Sequence, residues 1–204
     1  MRKRKPRGTA SNKKGALDRL TGEEAATVLR LLLEKRPDLK KDVEALTKSV
    51  IGDVSIENVA DGIESAVRAL DLEDLNSRAG SHAYGYVEPS EAAWELIEEA
   101  VTPFLEDIKR RAESGQLNAA MATCAGVVLG LYRLRKSERD PFLGWAADSP
   151  DEMAGEAVVT LRKALRRTKT ARGDPQDFDG LPAAFREMTP EWIEMLERCW
   201  RHPG

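Results

Sequence analysis

"RAGSHAYGYVEPSEAAWELIEEAVTPFLEDIKRRAESGQLNAAMATCAGVVLGLYRL", residues 78–134, decides the fold. Its second half carries two apolar stripes at helical spacing. The first is Ala93, Leu96, Ile97, Ala100, Val101, Phe104, Leu105 and Ile108. The phase of this stripe is the same on both sides of Pro103, which predicts one kinked but continuous helix rather than two. The second stripe is Leu117, Ala120, Met121, Cys124, Val127, Val128, Leu131 and Leu134. Between them "ESGQ" leaves room only for a tight reversal, with Gly115 as a left-handed cap. Two long helices joined so closely must lie antiparallel.

Outward from this pair, the same pattern recurs. Thr21 followed by Glu24 is a capping box, and Ala25, Val28, Leu29 and Leu32 then mark one helix face. Pro37 ends that helix and opens another with Leu39, Val43, Leu46 and Val50 in line. After "IGDVS", a third helix carries Ile56, Val59, Ala60, Ile63, Val67 and Leu70. Gly62 lies inside it and weakens it by about 1 kcal/mol relative to Ala, so close packing is expected there. "DLEDLNSRAG" reads as a short helix closed by Gly80. Downstream, "SERDPFLGWAADSP" is a loop with one helical turn. Ser149-Pro150 starts a helix with Met153, Ala157, Leu161 and Ala164. Thr189-Pro190 starts a last one with Trp192, Met195, Leu196 and Cys199. No segment reads as a strand. The expected fold is therefore all-α, with no sheet. It would hold seven or eight helices in antiparallel pairs, in a short right-handed solenoid-like stack.

Composition narrows the class. Charged residues make up 33% of the 204 and aromatics 5%, which suits a Leu/Ala/Glu/Arg-rich helical protein long enough to bury a core. No apolar run approaches the roughly 20 residues of a membrane span, and no membrane partner is expected. The basic start has no apolar segment behind it and contains Pro6 and Gly8. It fits neither a secretory signal nor an amphipathic presequence, which makes the cytoplasm the expected location. Seven basic residues, Arg2, Lys3, Arg4, Lys5, Arg7, Lys13 and Lys14, precede the first acid, Asp18. The whole chain carries −3, which leaves −10 for the remainder. Residues 1–17 are thus expected to be a disordered basic tail and 18–204 a single helical domain, with a linker at 168–181 before a C-terminal helix. Such a tail is either a solubilising terminus or an arm for nucleic acid.

Few chemistries remain open. Cys124, on an apolar face, reads as a small buried hydrophobe. Cys199 and His202 offer two metal ligands where a structural zinc needs four, so no metal is expected. No P-loop or dinucleotide fingerprint occurs, and no cofactor is expected. Adjacent acids such as Glu98 and Glu99 point about 100° apart on a helix and read as solvated faces. Trp192 reads as core, and Trp200 as a cap of the last helix pair or an anchor for a partner.

The stretch ahead of the long helix concentrates the scarce side chains. It holds His82, one of two histidines, and Tyr84 and Tyr86, two of three tyrosines. A lone histidine without a fixed acid or base partner is a thin basis for catalysis, so the protein is not expected to be an enzyme. A structural joint explains the glycines and the Glu88-Pro89 helix start. A loop bearing Arg78, His82, Tyr84, Tyr86 and Glu88 on a rigid scaffold also suits contact with a protein partner. The expected role is a non-enzymatic scaffold or adaptor. The alternative is a nucleic-acid-associated regulator using the basic arm.

Residues 78–134 also resemble a helical segment that recurs in an uncharacterised prokaryotic family, some members of which carry a SWIM-type zinc finger. The shared pattern is an Arg, a Tyr/Phe-Gly-Tyr-Val-Asp/Glu turn, a long helix, a glycine turn and a second helix. The resemblance implies a HEAT- or TPR-like stack of helices and no particular activity. This chain lacks the finger's Cys/His set.

Overall fold

A computed structural model describes residues 15–83, 85–136, 142–172 and 180–203. Among them the chain forms nine α-helices and one short antiparallel hairpin. It divides into two compact units, Met1–Thr47 and Lys48–Gly204.

In the first unit, a 3-10 turn at Leu17–Arg19 precedes α1 (Gly22–Lys35). The capping box is present. Glu24 N donates to Thr21 Oγ1 at 3.3 Å, and Thr21 N donates to Glu24 Oε2 at 2.8 Å. Those bonds hold the Glu24 carboxyl below its usual range. A 3-10 turn at Pro37–Leu39 leads into α2 (Lys40–Gly52), and Arg36 grips Asp38 with two bonds of 2.9 and 2.7 Å. α1 buries none of its residues, and its stripe of Ala25, Val28, Leu29 and Leu32 stays exposed.

The second unit holds the core. Its helices are α3 (Ile56–Arg68), α4 (Leu72–Arg78), α5 (Pro89–Glu113), α6 (Leu117–Lys136), α7 (Ser149–Arg172), α8 (Ala184–Met188) and α9 (Ile193–Arg201). α5 passes unbroken through Pro103, as the phase of its stripe required. Its end is a full Schellman turn. Gly115 has φ +77°, its N–H reaches Ala112 O at 2.9 Å, and Gln116 N reaches Arg111 O at 2.9 Å. The expected stripes are the buried ones: Ile63 and Val67 on α3, Ile97, Val101 and Ile108 on α5, Val127 and Leu131 on α6, Leu161 on α7.

α6 lies at the centre and packs on α3, α5 and α7. Gly126 lies against Ile56 and Val59, and Gly130 against Ala60 and Ile63, so α3 and α6 run in the same direction. Arg133 of α6 reaches Glu57 at 2.6 Å, Asp61 at 3.4 Å and Glu64 at 3.5 Å along α3. Thr168 Oγ1 donates to Ala112 O at 3.2 Å, which brings the C-terminal ends of α5 and α7 together. Gly62 on α3 is close to Phe104, as expected: a Cβ there would lie 3.3 Å from the ring.

Three expectations need correction. A sheet is present: β1 (Gly80–His82) pairs with β2 (Gly85–Val87). At three residues each, these strands are too short to show a strand period in sequence. Nine helices replace seven or eight, because the turn formers around α8 hid it. Finally, α6 is long and apolar enough to span a membrane by length and composition. Its Leu, Val, Ala, Met and Cys residues supply that apolar character, spread over the helix and interrupted by Gly and Thr. Most of it is buried in the core. α7 runs to Arg172, and residues 173–179 of the expected linker lie outside the described residues.

Candidate functional site

The hairpin between α4 and α5 is where the sequence placed the contact residues. α4 is fixed at its start by a second capping box. Asp71 Oδ1 accepts from Glu73 N at 2.8 Å and Asp74 N at 2.9 Å, and Asp74 Oδ2 accepts from Asp71 N at 3.1 Å. Buried Leu75 anchors the helix to the core cluster. Ala79 closes it by donating to Leu75 O at 2.8 Å.

The chain then turns into the hairpin at Gly80, whose φ of +104° lies in the left-handed region open to glycine. Gly85 has φ +138° where the second strand begins. The register pairs Gly80 with Val87, Ser81 with Tyr86 and His82 with Gly85. Val87 packs against the core, while Tyr86 is 61% exposed. Glu88 then occupies the N-cap of α5 without a side-chain cap bond, and Pro89 takes the first helical position.

Arg78 ties this joint together. Its guanidinium holds Glu99 of α5 with two bonds, Nη1 to Oε1 at 2.8 Å and Nη2 to Oε2 at 3.0 Å, and lies 3.6 Å from Glu95. These bonds push the Arg78 pKa further up and hold the Glu99 carboxyl below its usual range. Arg78 therefore positions α4 on α5. Reading the acids of this helix as solvated faces missed that role. The signal was present: Glu95 and Glu99 are four residues apart and share a helix face.

Of the expected contact residues, the structure brings Arg78, Tyr86 and Glu88 to one end of α5. Tyr84 and the side chain of His82 lie outside the described residues, as do Arg2, Lys3, Arg4, Lys5, Arg7, Lys13 and Lys14. Next to Tyr86 in the chain, Glu88 at the N-cap of α5 and Glu91 in its first turn are both exposed, while Glu95 and Glu99 are taken up by Arg78.

Elsewhere, no cluster of three or more His, Cys, Asp or Glu side chains is placed to hold a metal among the described residues. Cys124 is fully buried, and burial pushes its thiol pKa well up, which keeps it neutral. Cys199 Sγ lies 3.9 Å from Met195 Sδ, in the space that Gly155 leaves open. Trp192 and Trp200 are both buried, so neither offers an exposed anchor.

The fold and the site thus define a mostly helical protein with a small hairpin set between a short helix and a long one. No family model, curated protein or solved structure matches the chain.

Proposed function

We propose that the protein is a non-enzymatic helical scaffold that binds another protein through the hairpin end of α5. The observation that carries this reading is Tyr86. It is a large aromatic, 61% exposed, on a hairpin held between two packed helices. A rigidly placed tyrosine offers a large contact area at low entropic cost. Exposed Glu88 and Glu91, which follow it at the start of α5, favour a partner that presents basic side chains. The stacking of α3 with α6 and of α5 with α7 supports a HEAT- or TPR-like arrangement of helix pairs, the architecture that the resemblance over residues 78–134 implies. We place the protein in the cytoplasm.

The test is affinity capture from the native cell with three baits: the full chain, Tyr86→Ala combined with Glu91→Lys, and a chain lacking residues 1–17. A protein held by the full chain and by the truncated chain, but lost with the double variant at unchanged helicity, supports the reading. Recovery of only nuclease-sensitive material, lost with the truncation, overturns it in favour of a nucleic-acid role.

A further inference from the structure

We propose that the protein self-associates through α1, which pairs antiparallel, across a two-fold axis, with α1 of a second copy of the chain. α1 has more apolar surface than the turn after it covers. At about 100° per residue, its apolar arc runs from Val28 through Leu32, Ala25 and Leu29 to Leu33 and Ala26, with Leu31 beyond Glu24 and Lys35. That is nearly half the helix circumference, where a surface helix needs a stripe of about 100°. The Pro37–Leu39 turn packs back on α1, and only Ala26 and Leu33 on α1, with Leu39 and Val43 beyond it, are half-buried. Within the first unit the rest of the arc is uncovered. Val28 is 43% exposed, Leu29 40% and Leu32 42%, with Leu31 at 50% and Leu46 of α2 at 65% beside them. A row of leucines this exposed marks an interaction surface.

A second copy fits this face through its charges and its symmetry. Ala25 and Leu32 are spaced equally about Val28 and Leu29, so the stripe reads the same in both directions. Glu24 and Lys35 border it on the same edge, at opposite ends of the helix. A two-fold antiparallel pairing sets Glu24 of each copy beside Lys35 of the other. Other occupants fit less well. The polar side of α1 carries Glu23 and Glu34 against Arg30, a poor match for an anionic membrane. Residues 2–14 contain no large apolar side chain to lay on the leucines. One helix per copy makes an interface at the low end of about 1,200 Å², so association in the micromolar range follows.

Analytical ultracentrifugation of the full chain from about 1 to 300 µM reads this directly. The expected result is a reversible monomer–dimer equilibrium. Leu29→Glu combined with Leu32→Glu should weaken it by at least about tenfold, since both side chains point outward and helicity should survive. Lys35→Glu alone should weaken it a few-fold. Mixing the Lys35→Glu chain with a Glu24→Lys chain should restore dimers, because both end pairs become complementary in the heterodimer. Loss of the Glu24 capping bond cannot produce that rescue. A monomer throughout the range, a dimer indifferent to the leucine variant, or a monomer that instead floats with phosphatidylcholine–phosphatidylserine vesicles overturns the proposal. This test is independent of the hairpin, so its failure leaves the Tyr86 surface untouched.

Discussion

A Cβ on Gly126 would lie 2.5 Å from the Cβ of Val59 and 2.7 Å from the carbonyl oxygen of Ile56. One turn on, a Cβ on Gly130 would meet Ala60 O at 2.7 Å and Ile63 Cβ at 2.8 Å. These obstacles are backbone and first side-chain atoms, so no rotamer change relieves them. Alanine raises helix propensity by about 1 kcal/mol over glycine, but here α3 would have to move off α6. We expect Gly126→Ala and Gly130→Ala each to destabilise by about 1–3 kcal/mol net. The double variant should cost less than the sum, since one displacement of α3 relieves both clashes. Gly144→Ala, with no atom within 4 Å of its Cβ, should stay within about 0.5 kcal/mol of the parent. Urea unfolding followed by circular dichroism measures all four.

The 3-10 turn Pro190–Trp192, ahead of α9, is pinned to the core by the ring of Trp192. It meets Tyr132 of α6 edge-on, with centroids 5.1 Å apart and planes at 79°. Lys136 Nζ lies 4.8 Å from the centre of the Tyr132 ring and 2.7 Å from Glu191 Oε1. Trp192→Ala should cost about 3–5 kcal/mol, while Leu196 and Trp200 keep α9 on α7. Trp192→Phe keeps an aromatic edge and should recover more than half of that loss. Guanidinium unfolding of the two variants decides the point. Equal losses would show that the indole's volume, not the ring contact, matters.

What the sequence disclosed follows from the range of the interactions involved. Helix stripes, capping boxes and the Gly115 turn depend on residues a few positions apart, and the structure reproduces them at Thr21–Glu24, at Pro89–Glu113 and at Gly115. The hairpin at Gly80–Val87 escaped because three residues per strand display no period. Gly126 and Gly130 were hidden for another reason. Their small size matters only against α3, some 70 positions earlier, and no local rule reports which helix will press on them. The stripe of α1 was legible, but not that it stays uncovered. At the candidate site, the sequence picked out exposed Tyr86. It did not assign Arg78 its partner, because the Arg78–Glu99 bond spans the hairpin.

Cys124 provides a probe of core integrity. It is fully buried, and burial disfavours its thiolate. In the folded protein it should resist a thiol reagent at neutral pH, with modification following the unfolding transition. Mass-resolved labelling of the native chain, with the Cys199→Ser variant to isolate Cys124, checks this. Rapid native labelling would show that α6 opens locally, well below the global unfolding free energy.

Two aspartates should carry opposite pH dependences. For Asp107, partial burial raises the pKa, but bonds from Arg111 and Arg110 outweigh it, and the carboxyl sits below its ordinary value of 3.8. Its contribution is therefore present at neutral pH and lost as pH falls from that ordinary value through the folded one. Asp151 is the reverse. Burial pushes its carboxyl up, and Arg135 at 3.3 Å offsets this only in part. The folded state then holds the proton more tightly than the unfolded chain. Stability from Asp151 is present in acid and is lost as pH rises through the folded value. Asp107→Asn should consequently destabilise more at pH about 7 than at pH about 3, and Asp151→Asn should be better tolerated at pH about 7 than at pH about 3. Urea midpoints of both variants against the parent at the two pH values test the signs. Parallel shifts for the two variants would mean that the arginines around Asp107 leave its titration unchanged.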